Sequence, residues 1–206
     1  MKLQDELIFG GLAKIDEIGA YLDGLTHDQR VREVRDLSAE AEAKLWELAA
    51  PSEPLTLDFF VGDDVPTATE VIHDGWNSLP AFRPFQKRFC RSTSANTGES
   101  TIFGYNHNPQ ILKTIGITPG YFVTRNTAGL KHWERRGAVV VDYHLTPDGP
   151  VAPGWPRVKP NTQGLQKLVF SHTRDFMRRV SKHVSIGAAW KWEKAMGAYF
   201  VLCRRD

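Results

Sequence analysis

Gly137-Ala-Val-Val-Val-Asp-Tyr-His-Leu145 is the stretch whose reading decides the fold. Successive side chains of a strand point to opposite faces, so Val139, Val141, Tyr143 and Leu145 share one face, and Val140, Asp142 and His144 the other. The first set is apolar enough to be core. Gly197-Ala-Tyr-Phe-Val-Leu-Cys203 repeats the alternation near the end of the chain. Working outward, strand-like runs recur over 55–61, 68–73, 85–91, 100–105, 110–115, 120–125, 165–172 and 183–191. Between them stand residues that favour turns, such as Gly62-Asp-Asp64, Asn96-Thr-Gly98, Asn106-His-Asn-Pro109, Pro119-Gly120 and Pro147-Asp-Gly-Pro150. Many short strands with regular turns predict an antiparallel barrel or sandwich rather than a parallel α/β sheet. Residues 174–182 read either as a short helix, with Phe176 and Val180 on one face, or as a strand continuing from 172.

Before residue 55 the hydrophobic period changes. Leu12, Ile15, Ile18, Leu22 and Leu25, then Val31, Val34, Leu37, Leu45 and Leu48, follow helical spacing. Thr26-His-Asp-Gln29 has the form of a capping box, Ser38 reads as a second N-cap, and Pro51 and Pro54 end the stretch. Helices this short are unstable alone, so their apolar stripes must pack on the β body. The fold class expected is therefore α+β: short N-terminal helices over 1–50 packed on a mainly antiparallel β-barrel over 55–206, as one compact unit. A β-sandwich is the alternative.

Composition narrows the function classes. The 206 residues carry a formal charge of +2, which gives no electrostatic reason to expect nucleic acid. A local basic cluster, Arg174, Arg178, Arg179 and Lys182, reads as a solvated face. No run reaches the ~20 apolar residues of a membrane-spanning helix. Asp5 and Glu6 interrupt any signal-peptide core, and Cys90 and Cys203 read as reduced, buried thiols, so a soluble cytoplasmic protein is expected. No GxGxxG, P-loop, HExxH, paired CxxC or GxSxG spacing occurs, so neither a cofactor nor a metal is expected.

Asp74-Gly75-Trp76 lies near the start of the β body, Val141-Asp142-Tyr143 near a later turn, and Arg204 and Arg205 in the final run. In these residues the β body resembles the lipocalin-like (calycin-type) barrels, with their Gly-x-Trp, Thr-Asp-Tyr and an arginine that covers the tryptophan. The chain departs from that pattern: Gly75 and Trp76 are adjacent, Val141 stands in place of Thr, and no helix follows the last strand. The resemblance implies an antiparallel barrel with a cavity for a small apolar ligand, and names no particular one.

Candidate site residues follow from the alternation. Asp142 and His144 share a face, and His172 ends the apolar stripe of Leu168 and Phe170. Histidine suits acid–base work near neutral pH and aspartate can orient it, so His172, Asp142 and His144 are the catalytic candidates, with His183 and Asp175 as alternative members of such a pair. The ligand-binding candidates are Trp76, in the polar-aromatic loop read over 73–80, Tyr105 and Tyr121 beside glycines, Trp155 in the long 146–164 connection, Arg174, His183 and Trp190. Small residues at Ser185, Gly187, Ala188 and Ala189 leave room for a ligand or a packed neighbour. Phe82, Phe85 and Phe89 read as core, with Lys87 and Arg88 between them solvated or laid over an aromatic face. The first functional expectation is a protein that holds a small apolar or aromatic ligand inside the barrel. The alternatives are a cofactor-independent isomerase, cyclase or hydratase using a His/Asp pair, and a protein-interaction module. The sequence does not indicate an oligomeric state.

Overall fold

The computed structural model describes residues 2–10, 14–79, 83–108 and 119–206. The strand expected over 110–115 lies outside these residues, as do Leu12, Phe82 and Pro109. Eight antiparallel strands form a closed barrel in chain order. They are β1 (Val71–Asn77), β2 (Pro84–Thr93), β3 (Ser100–His107), β4 (Tyr121–Asn126), β5 (Val139–Asp142), β6 (Thr173–Arg179), β7 (Val184–Lys191) and β8 (Lys194–Arg204). Pairing of β1 with β8, from His73 opposite Arg204 to Asn77 opposite Phe200, closes the sheet. Closure leaves no unpaired edge, which a sandwich would have to protect.

Among the described residues the helices are α1 (Leu3–Phe9), α2 (Ile15–Asp23), α3 (His27–Arg35), α4 (Ala39–Leu48), α5 (Lys131–Glu134) and α6 (Gln166–Phe170). Thr26 completes the capping box of α3 and Ser38 caps α4. The apolar stripes of α1–α4 share one core with the outward side chains of the later strands: Ile18, Leu22, Val34, Leu45 and Trp46 meet Val140, Phe176, Val184, Ile186 and Val201. Arg178 works in this seam, lying 3.8 Å over the Trp46 ring and donating to the backbone carbonyls of Trp46, Arg135 and Arg136. The basic cluster is thus partly mortar between layers rather than a solvated patch.

Three local readings of the sequence are corrected. Residues 55–61 do not form a strand: Leu57–Phe59 is a 3-10 turn, with the Phe60 N–H donating to Leu57 O at 3.0 Å, and Phe59, Phe60 and Val61 are all buried. This segment fills one end of the barrel. Phe60 packs 5.1 Å from Phe89 and 5.8 Å from His73. The run 165–172 is helix α6 followed by a turn through His172, whose φ of 61° breaks the extended chain before β6. Leu168 is therefore exposed while Phe170 turns inward, and the shared face expected of them does not exist. Residues 73–77 belong to β1 rather than to a loop. The ambiguous 174–182 segment is mostly strand, as β6.

Inside the barrel, three inward phenylalanines lie opposite glycines on the neighbouring strand: Phe85 on Gly75, Phe122 on Gly104, and Phe200 on Gly187. A Cβ at Gly104 or Gly187 would fall 2.2 Å from the facing ring, so each ring lies flat in the space its glycine leaves. Rings laid along the wall leave room for Lys87 of β2 to reach across the lumen to Asp175 of β6.

The long connection after β5 covers the outer face of β2–β4, where Val151, Ala152 and Trp155 pack on Cys90, Phe103 and Val123. Asn161 pins it there: its amide donates to the carbonyls of Tyr121 (2.6 Å) and Tyr143 (2.8 Å), and its oxygen accepts from the Tyr121 N–H (3.2 Å).

Candidate functional site

A cavity of about 390 Å3 opens at the barrel end opposite the 55–61 plug and extends over the rim, where Arg88, Tyr105 and His107 of the outer face also line it. Its size falls within the roughly 300–1,000 Å3 range of small-molecule sites. The walls are apolar, with Phe85, Phe170, Phe200, Ala189, Ala198 and Pro156 prominent among them. Gly154 and Pro156 come from the long connection, so that segment both seals the outer face of the sheet and contributes to the cavity.

One polar group of side chains stands out against these walls. Alternation along β2 turns Lys87 inward with Phe85 and Phe89, and along β6 it turns Asp175 inward with Thr173 and Met177. Lys87 Nζ donates to Asp175 Oδ2 at 2.9 Å, to Asn106 Oδ1 at 3.0 Å, and to the Tyr143 hydroxyl. That hydroxyl donates in turn to Asp175 Oδ2 at 3.1 Å and accepts from the Asn106 amide at 2.8 Å. The lysine side chain is only 2% exposed, and its ammonium lies 4.8 Å from the Phe200 ring and 5.1 Å from the Phe122 ring. Burial pushes the Lys87 ammonium below the usual lysine value, with Asp175 pulling the other way. Burial, followed by the negative charge of Asp175, holds the Tyr143 phenol well above its usual value, and the Asn106 hydrogen bond opposes this.

The sequence candidates distribute around this centre rather than meeting in it. Tyr105 lines the cavity, 4.9 Å from Trp155 and 5.6 Å from Tyr121. The Tyr121 hydroxyl donates to Pro156 O, and Trp155 Nε1 donates to Glu70 at 2.6 Å. Of these three aromatics only Tyr105 lines the cavity, and Tyr121 and Trp155 stand behind it on the outer face of the sheet. Asp142 points outward and is paired with Arg174 at 3.2 Å and Arg125 at 3.4 Å, and it accepts the His144 N–H. His144 and His172 meet edge to face at 5.4 Å, and His172 stacks on Trp192 at 3.5 Å. None of Asp142, His144, His172 and Arg174 is among the cavity-lining residues. His183 pairs with Asp206 at 3.0 Å on the helical side, and Trp190 lies under Arg136 at 3.8 Å. Trp76 lines an adjoining cleft of about 440 Å3 between α3 and β1–β2, which shares Phe85, Arg88, His107 and Asn108 with the barrel cavity and whose walls also carry Arg35 and Asp74.

Arg204 departs from the expected cover of Trp76. It lies 5.7 Å over the Phe59 ring and donates to Phe59 O at 2.9 Å, so it fastens the plug. Among the described residues, no group of three or more His, Cys, Asp or Glu side chains is arranged to hold a metal ion. No helix among them is long and apolar enough to cross a membrane.

Lys87 and Asn106 were not read as site residues from the sequence, and Asp175 was read only as a carboxylate partner for a histidine. The signal that finds Lys87 is its parity: it shares a face with Phe85 and Phe89, and a lysine between two inward phenylalanines is itself inward. No protein-family model, curated protein or solved structure matches the chain.

Proposed function

We propose that this chain is a lipocalin-like carrier or receptor that holds a small apolar or aromatic molecule in the plug-opposed half of its barrel. The observation that carries the reading is the cavity itself: a mostly apolar hollow with a buried, mutually hydrogen-bonded polar tetrad, Lys87, Asn106, Tyr143 and Asp175, at its inner wall. Sites for small molecules combine that kind of wall with a few fixed polar groups, the wall supplying affinity and the polar groups orientation. Phe85 and Phe200, in edge-to-face contact at 5.8 Å, and Phe170 would bound a flat ring system whose polar substituent meets the tetrad. The three glycine–phenylalanine pairs support the same reading, because they hold bulky rings against the wall where a filled core would direct them across it.

The test is calorimetric titration with 2-naphthylmethanol, comparing the native chain with Ala198→Phe, which places a ring in the cavity. Saturable binding of one molecule per chain with a negative heat-capacity change is expected for the native chain, and its loss for the filled variant. Absence of binding to the native chain, or equal binding by both, refutes the reading.

A further inference from the structure

We propose that the cavity captures a small aldehyde covalently, as a Schiff base on Lys87, with Asp175 relaying the protons; this rests on the ligand-holding reading above. Lys87 is the one lysine among the described cavity-lining residues. Its ammonium has three N–H donors, and the three acceptors on Asp175, Asn106 and Tyr143 use them all. As an ammonium it therefore has no donor left for a ligand carbonyl, and a simple hydrogen-bonding role is already saturated. As a neutral amine it has a lone pair, and Asp175 at 2.9 Å is placed to take the proton that frees it. Burial lowers the lysine's proton affinity and so favours that transfer.

The chemistry balances without a further reagent. Asp175 takes one proton from the Lys87 ammonium, and the amine nitrogen attacks the aldehyde carbon. The carbonyl π electrons move to oxygen, which receives a proton from the attacking nitrogen to give the neutral carbinolamine. Asp175 returns its proton to the hydroxyl as the C–O bond breaks, and water leaves. The nitrogen lone pair forms the C=N bond, giving a protonated imine that faces the Asp175 carboxylate. The sum is ammonium plus aldehyde to iminium plus water, and the buried charge pair is restored. The Tyr143 hydroxyl, donating to Asp175 and accepting from Asn106, orients the carboxylate throughout.

The experiment incubates the full chain with 2-naphthaldehyde and cyanoborohydride, which fixes an imine as a secondary amine, and maps the label by peptide mass spectrometry. One label per chain on Lys87, appearing before any exposed lysine reacts, is expected. Lys87→Met should lose it. Asp175→Asn should slow it about 100-fold or more, the usual worth of a positioned proton-transfer group. Label spread over exposed lysines, with Lys87 unmodified although the native chain binds the alcohol, overturns the Schiff base and leaves the carrier reading standing. Failure to bind the alcohol removes both. If Lys87→Met does not fold, the position of the label on the native chain decides.

Discussion

Burial of a titratable side chain leaves a signature in stability, and two residues here leave opposite ones. His73 is enclosed by Phe59, Phe60 and Phe89, with Nε2 3.1 Å from Phe60 O. Burial pushes its imidazole from 6.5 down to about 3. Below 6.5 the unfolded chain binds a proton that the fold refuses, so stability falls as pH falls toward 3. Glu42 on α4 is buried against the barrel, which pushes its carboxyl from 4.5 up to about 9 against the pull of Arg83. Above 4.5 the unfolded chain loses a proton that the fold keeps, so stability falls as pH rises toward 9. Each limb carries a slope of about 1.4 kcal/mol per pH unit, and the two cancel between the unfolded values of the two groups. Urea unfolding across this range should show His73→Leu flattening the acid limb and Glu42→Gln the alkaline limb. Unchanged slopes in the variants would refute the assignment. At this scale the sequence was only partly legible. Alternation placed Tyr143 inward, yet Lys87, with the same kind of parity signal in β2, read as solvated or laid over an aromatic face. Its place over the Phe122 and Phe200 rings matches the second reading, while its burial was missed, since a charged side chain is seldom buried without a partner. Its partner Asp175 lies far along the chain on β6, a separation that local spacing does not bridge.

At the scale of elements, the strands were legible wherever alternation and turn chemistry agreed. The β2–β3 connection carries Asn96-Thr-Gly98, with Gly98 in the left-handed region at φ 73°. The β7–β8 connection has no such signal. Trp192 and Glu193 both take positive φ, 53° and 60°, a conformation usually left to Gly or Asn. Tertiary contacts hold it instead: His172 stacks on Trp192, and Glu193 pairs with Arg136 and Arg174. The glycine–phenylalanine pairs were half legible, since Gly187 was readable as space but its occupant Phe200 was not. That packing makes a prediction. In Gly187→Ala the new Cβ would stand 2.2 Å from the Phe200 ring, which must swing toward the lumen. Overpacking of this kind costs about 1–3 kcal/mol, read as a lower urea midpoint, and the displaced ring should weaken binding of 2-naphthylmethanol as well. Loss of stability with full binding would mean that the wall-laid rings do not shape the cavity.

Seen whole, the molecule is a barrel sealed at one end and sheathed on both sides. The 55–61 segment, fastened by Arg204, fills the plugged half; the N-terminal helices cover the faces of β5–β8; the long connection covers β2–β4. The two hydrophobic periods in the sequence anticipated the sheath and the barrel, but not which half of the lumen would be filled. That depends on Phe59, Phe60 and Val61 leaving the sheet, which consecutive apolar residues do not announce. With outer faces covered and one end packed, the remaining interior volume is concentrated against Lys87, Asn106, Tyr143 and Asp175. The most direct measurement is the anomalous-scattering map of crystals soaked with a brominated 2-naphthylmethanol. A bromine peak inside the barrel, bounded by Phe85, Phe170 and Phe200, with the alcohol oxygen turned toward the tetrad, is expected. A barrel without density there, or a probe bound only in the cleft beside Trp76, would refute the proposal that this lumen is built to hold a ligand.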